Sequence, residues 1–197
     1  MNYLAHAYLS FGNEQLLVGN LMGDFVKGRK QFEKYPKSIQ EGIVLHRHID
    51  FYSDNHLILK QSIKRLKPTQ QRYAPVVVDI FYDYFLANNW SMFSEQSLND
   101  FALETYTHLE RNFEIMPKRS SRIFKKMISH NWLVGYQQET RIEYAFQRLA
   151  TRVSNKHNML KAIDDLRQHK EALNNDFIKF FPELIQSAKA KITEIGH

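Results

Sequence analysis

From Thr69 to Asn88 the chain runs twenty residues without a turn signal, and the stretch is apolar on nearly every side. Val76, Val77, Val78, Ile80, Phe81, Tyr82 and Phe85 are residue types that favour strands. The length decides against a strand, because uninterrupted runs of this size are helical. A helix that is apolar all round has to be buried, so the run predicts a central helix with the rest of the chain packed around it. Asp79 and Asp83 sit inside it, four residues apart.

The remaining chain reads the same way. Seven glycines and five prolines among 197 residues are about half the usual share, which disfavours a many-turned sandwich or barrel. Asn2–Ser10 is a short amphipathic segment. Asn13 can cap a second helix reaching about Phe25. Lys27–Lys34 is a basic loop, and Pro36 suits the first turn of a third helix reaching about Tyr52. Asp54–Lys67 is a fourth helix stopped by Pro68, and Thr69–Asn88 is the fifth. Ser94 can cap a sixth that ends near Met116, and Pro117 opens a basic segment to about His130. Trp132–Ile195 holds two or three more helices, with breaks near Asn155 and at Pro182. The expectation is one all-α domain over residues 1–197, with about eight to ten helices.

Composition narrows the chemistry. Without cysteine the chain can hold no disulfide, thiolate zinc site or cysteine nucleophile, so a metal site must use His, Asp, Glu and water. No Walker loop, dinucleotide fingerprint or nucleophile elbow is present. No stretch of 18 apolar residues suggests a membrane span, and the N-terminus has no signal-peptide pattern, so a cytoplasmic location is expected. The net charge of +6 suits an acidic partner. Lys60, Lys64, Arg65, Lys67 and Arg72 form one basic stretch; Lys118, Arg119, Arg122, Lys125 and Lys126 form another. Each can be an ordinary solvated face or a docking surface. A nucleic-acid role would lack any recognisable module.

The acids and histidines fall in otherwise apolar surroundings: His6, Asp24, His46, His48, Asp50, Asp54, His56, Asp79 and Asp83. His46 and Asp50 share a helix face, as do Asp50 and Asp54, and Asp79 and Asp83. His48 lies half a turn from His46 and points elsewhere. Asp24 closes an apolar helix, where the helix dipole disfavours a negative charge. Buried acids are paired or bound to metal, and several converging acids call for a cation. Imidazole with carboxylate suits manganese, iron, zinc or magnesium, which can polarise a phosphoryl oxygen and activate water. The plainer alternative is a set of separate pairs, with Asp79 and Asp83 neutralised by arginines such as Arg47 or Arg72.

Four blocks carry a family resemblance: Met1-Asn2-Tyr3-Leu4-Ala5-His6; Gly19 through Gly28; Gly42 through Asp50 with Ser53-Asp54-Asn55-His56; and Arg72-Tyr73-Ala74 through Ala87 with Trp90. Across these first 90 or so residues the chain resembles the acyl carrier protein phosphodiesterases. The resemblance implies an all-α fold related to the HD phosphohydrolases. It also implies a Mn2+-dependent phosphodiesterase, with Mg2+ or Fe2+ as other candidate ions. The substrate would be holo-acyl carrier protein, a small acidic protein, cut between its serine and 4′-phosphopantetheine.

On that resemblance the expected metal ligands are Asp24, His46, Asp50, Asp79 and His6. Asp83, Asp54 and His56 are expected to orient ligands or move protons, and Arg47 either holds a phosphate oxygen or neutralises Asp83. Two departures stand out. No histidine is followed directly by aspartate, the pair that names the HD class, and Tyr84 stands where relatives commonly carry histidine. Tyr84 is therefore not read as a ligand. A phosphohydrolase of nucleotides or other small phosphoesters, and a non-enzymatic helical module for an acidic protein or RNA, are the alternatives.

Overall fold

The computed structural model describes residues 1–152 and 156–196. Its α-helices are α1 (Tyr3–Tyr8), α2 (Glu14–Met22), α3 (Arg29–Phe32), α4 (Lys37–Asn55), α5 (Leu57–Gln70) and α6 (Ala74–Asn88). Then follow α7 (Leu98–Arg111), α8 (Lys118–Ser129), α9 (Trp132–Gly135), α10 (Glu139–Ala150), α11 (Lys156–Leu160) and α12 (Ala162–Ile195). The described residues contain no strand, so the fold is all-α. None of these helices is long and apolar enough to cross a membrane.

α6 is the central helix. Val77, Val78 and every residue from Ile80 to Ala87 are buried, and full burial of a Val, Leu, Ile or Phe side chain contributes about 1.5–3 kcal/mol. Tyr82 and Phe85 meet Phe177 and Phe180 of α12. The Asp83 carboxylate accepts hydrogen bonds from the backbone N–H of Leu4, at 2.7 Å, and of Ala5, at 3.2 Å. These bonds hold α1 on α6. With six residues, α1 is too short to be stable alone, so that anchorage is what orients it.

α2 and α4 cross with their backbones in contact. A Cβ added at Gly19 would lie 2.2 Å from the carbonyl oxygen of Ile39, and one at Gly42 would lie 2.4 Å from that of Leu16. The Gly19 and Gly42 pair is therefore what lets the helices meet. Asn13 caps α2 as expected, accepting from the N–H of Gln15 and Leu16.

Several boundaries differ from the sequence reading. Asp54 belongs to the last turn of α4; α5 starts at Leu57, capped by the His56 Nδ1 that accepts from the N–H of Ile58. Pro68 does not stop α5, because it lies in the exposed last turn and removes only one hydrogen bond. The chain instead breaks at Gln71, whose φ is +52°, so the predicted fifth helix is divided by a 3-10 turn and restarts at Ala74 with Pro75 in its first turn. Ser97, not Ser94, caps α7, which ends at Arg111 rather than near Met116. The basic loop after Lys27 contains the single-turn α3. Pro182 lies inside α12 without ending it, held by the buried side chains of Phe180, Phe181 and Leu184. The break expected near Asn155 lies outside the described residues.

Candidate metal centre

Each ligand candidate comes from an element fixed in a different way. His6 is on α1, held by Asp83. Asp24 is in the 3-10 turn Gly23–Phe25 that ends α2. His46 and Asp50 share one face of α4. A Cβ at Gly23 would meet the His46 ring at 2.4 Å, so only glycine lets the imidazole lie against this turn.

His6 and His46 stack, with ring centroids 4.4 Å apart. The Asp50 carboxylate spans them: Oδ1 is 3.2 Å from Nε2 of His6, and Oδ2 is 3.2 Å from Nε2 of His46. Oδ1 of Asp24 is 3.4 Å from Nε2 of His46. These contacts have ion-pair length but not the alignment of hydrogen bonds; Nε2 of His6 and both ring nitrogens of His46 are buried without a hydrogen-bond partner.

Asn20 settles the proton on His6. Its Nδ2 donates to the carbonyl oxygen of His6, at 2.8 Å, and to Oγ of Ser10, at 3.1 Å. Its Oδ1 must therefore accept from Nδ1 of His6, 2.7 Å away. Burial lowers the pKa of His6, against the pull of Asp50, so the ring is neutral with its proton on Nδ1. Nε2 then turns a bare lone pair toward a carboxylate. Burial alone would raise the Asp50 carboxyl, but neighbouring positive charge, the Met1 amino group 3.7 Å from Oδ1 included, outweighs it and lowers the pKa, so it is ionised. Two acceptors facing each other at 3.2 Å are unfavourable unless a cation joins them.

The donor set suits such an ion. The ligand atoms of His6, His46 and Asp50 all lie within 4.8 Å of one another. Two donors about 2.1 Å from one cation stand about 3.0–3.4 Å apart, and the Asp50 contacts fall in that interval. Asn20 supplies the outer hydrogen bond that fixes the orientation of a ligating imidazole. Met1, Asn2, Tyr3, Asn20, Leu21 and Asp24 complete a cleft of about 70 Å³ over the two imidazoles.

The other expected residues are distributed around this group. Asp79 faces the Met1 amino group, at 3.2 Å, and that amine is also 3.7 Å from Oδ1 of Asp50. Burial raises the Asp79 pKa while the amine opposes the rise. Asp83 lies behind α1; burial, opposed by the two N–H bonds, raises it to about 7. Asp54 is exposed at the end of α4 and acts on Asp79 only through its charge. His56 caps α5 and faces Glu183, at 3.2 Å. His48 bonds Ser187. Arg47 stays exposed: its guanidinium donates to the Val26 carbonyl oxygen and lies over the Phe32 ring, and it does not pair with Asp83. Tyr84 reaches Glu139, away from the imidazoles. Asn20 escaped the sequence reading; its signal was a lone amide on an apolar helix, four residues before Asp24.

Residues 1–184 match the family model described as "Acyl carrier protein phosphodiesterase". The acyl carrier protein phosphodiesterase of Klebsiella pneumoniae (strain 342) is 31% identical to the chain over 192 residues, covering 97% of this chain and 99% of the relative. That of Escherichia coli O6:H1 (strain CFT073) is 31% identical over 197 residues with the same coverage. That of Enterobacter sp. (strain 638) is 30% identical over 192 residues, again with 97% and 99% covered. No solved structure matches the chain.

Proposed function

The chain belongs to the acyl carrier protein phosphodiesterase family, and from that premise we propose that it hydrolyses holo-acyl carrier protein to apo-carrier protein and 4′-phosphopantetheine. Water adds to phosphorus, the bond from phosphorus to the serine oxygen breaks, and that oxygen takes up a proton. His6, His46 and Asp50 hold a divalent cation, with Asp24 and Asp79 as further oxygen donors beside it. Mn2+ is the ion proposed first, with Mg2+ or Fe2+ as substitutes. When bound, the cation supplies Lewis acidity to a phosphoryl oxygen and to water. Kinship with the HD phosphohydrolases is part of the same proposal; it rests on imidazole and carboxylate donors carried by packed helices.

The chain's own groups do the positioning. Asn20 keeps the proton of His6 on Nδ1 and so leaves Nε2 free to ligate. Asp50 remains ionised between the two rings. Arg47 is assigned a phosphate oxygen: its guanidinium is anchored at Val26 and Phe32, has no carboxylate partner among the described residues, and keeps N–H donors to spare. Asp83 fixes α1, and through α1 the ring of His6.

The observation that carries this reading is the Asp50 carboxylate set between two imidazole nitrogens that lack hydrogen-bond partners. The test is incubation with holo-acyl carrier protein, with and without Mn2+, read by intact-mass spectrometry. Metal-dependent loss of the phosphopantetheine mass is expected. Metal-loaded protein that leaves the carrier intact would move the substrate to a small phosphoester. Protein that neither binds metal nor cleaves would leave a binding module.

A further inference from the structure

We propose that the exposed cationic face of α8 is the surface on which the acidic carrier protein docks to present its phosphodiester; this rests on the substrate reading above. α8 buries Ser120, Phe124 and Met127 and turns Lys118, Arg119, Arg122, Lys125 and Lys126 outward. No acid occurs between Pro117 and Asn131. Among the described residues none of these five cations forms an ion pair. Elsewhere on the surface Arg29 pairs with Glu33, Lys37 with Glu41, Arg167 and Lys170 with Glu139, and Lys191 with Glu194. A row of like charges on one helix face, left without acidic partners among the described residues, is a cost unless something acidic meets it.

The place of α8 gives that charge a use. The Phe124 ring packs edge-on against Tyr3 and against Phe25, with centroids 6.1 Å apart in both pairs. The Arg119 guanidinium lies 6.0 Å over the Phe25 ring. Tyr3 lines the cleft above His6 and His46, and Phe25 directly follows Asp24. α8 thus borders the entrance to the metal centre. The other basic stretch differs: no ring contact ties an α5 side chain to Tyr3 or Phe25 among the described residues, and Arg65 is neutralised by Asp176 at 2.9 Å. The structure separates two stretches that looked alike in sequence and gives the docking role to one. Such charges act mainly by steering encounter and selecting the partner, so their effect is sensitive to salt.

The test compares the triple variant Lys118→Glu, Arg122→Glu, Lys126→Glu with a control on α5, Lys60→Glu with Lys64→Glu. Two readouts are taken: KM for holo-carrier protein, and Kd for labelled apo-carrier protein by fluorescence anisotropy, which needs no turnover. All five positions are exposed; circular dichroism checks that each variant is folded. The α8 variant is expected to raise both constants at least tenfold at low salt, with the difference shrinking as salt is added, while the control stays within twofold of wild type. If wild type cleaves holo-carrier protein and the α8 variant leaves KM and Kd unchanged, the docking proposal falls and the substrate reading stands. If wild type neither binds nor cleaves carrier protein, both fall. Tight binding of single-stranded RNA, lost in the α8 variant without loss of carrier affinity, would also overturn the proposal.

Discussion

Nε2 of His6 faces Oδ1 of Asp50 across 3.2 Å, while Nδ1 of the same ring stands 2.7 Å from Oδ1 of Asn20. A donor pair of this kind is complementary to a cation. His6→Ala, His46→Ala and Asp50→Asn should each abolish stoichiometric Mn2+ binding and lower carrier-protein hydrolysis by at least about 100-fold. Helical circular dichroism should persist. Metal content after dialysis, measured alongside activity, decides the matter; full metal retention in any of the three removes that residue from the ligand set.

Asn20 acts through His6, so its loss should appear first in metal affinity. Asn20→Leu removes the acceptor for the Nδ1 proton and frees the ring to turn. Loss of such an outer hydrogen bond typically costs about 10–100-fold in metal affinity. A chelator competition should show that loss, and excess Mn2+ should restore turnover. A purely structural role for Asn20 would lower the melting temperature without this rescue.

Gly23→Ala and Gly19→Ala should fail differently. A methyl at Gly23 enters the His46 ring, so activity should drop sharply while the helices stay packed. A methyl at Gly19 meets the backbone of α4, which has no rotamer to change, so stability should fall by about 1–3 kcal/mol or more. Urea midpoints together with activity separate the two; equal stability losses would refute the distinction.

Asp83 carries a pH signature. Its carboxyl titrates near 7 in the fold, against 3.8 as the ordinary value. Between those values the folded protein binds more protons than the unfolded chain, so this group makes stability fall as pH rises. The loss begins above about pH 4 and is complete just above pH 7. Asp83→Asn keeps a side-chain acceptor for α1 but cannot ionise, so the wild-type-minus-variant stability difference should slope downward over that window. A flat difference would show that Asp83 enters the fold already ionised.

What the sequence made legible was local. His46 and Asp50 lie one turn apart on a long helix, and their shared face could be read without coordinates. The same spacing for Asp79 and Asp83 was read equally well, yet the two separate in the fold: Asp79 faces the Met1 amine while Asp83 binds the backbone of α1. Spacing gives the face, and only packing gives the neighbour. Asn20 was hidden for that reason, since its task depends on α1 lying across α2. The prolines misled in a related way: Pro68 falls where little hydrogen bonding remains to be lost, and Pro182 is overridden by the aromatic packing around it.

The crossing of α2 on α4 has one more consequence. Two helices that touch through Gly19 and Gly42 meet without side chains between them, and a contact without side chains has no alternative rotamers to explore. Asp24, a short step beyond that crossing, and His46, one turn further along α4, therefore inherit a separation insulated from side-chain fluctuation. Adaptation at this end of the molecule is correspondingly confined to side chains outside the crossing.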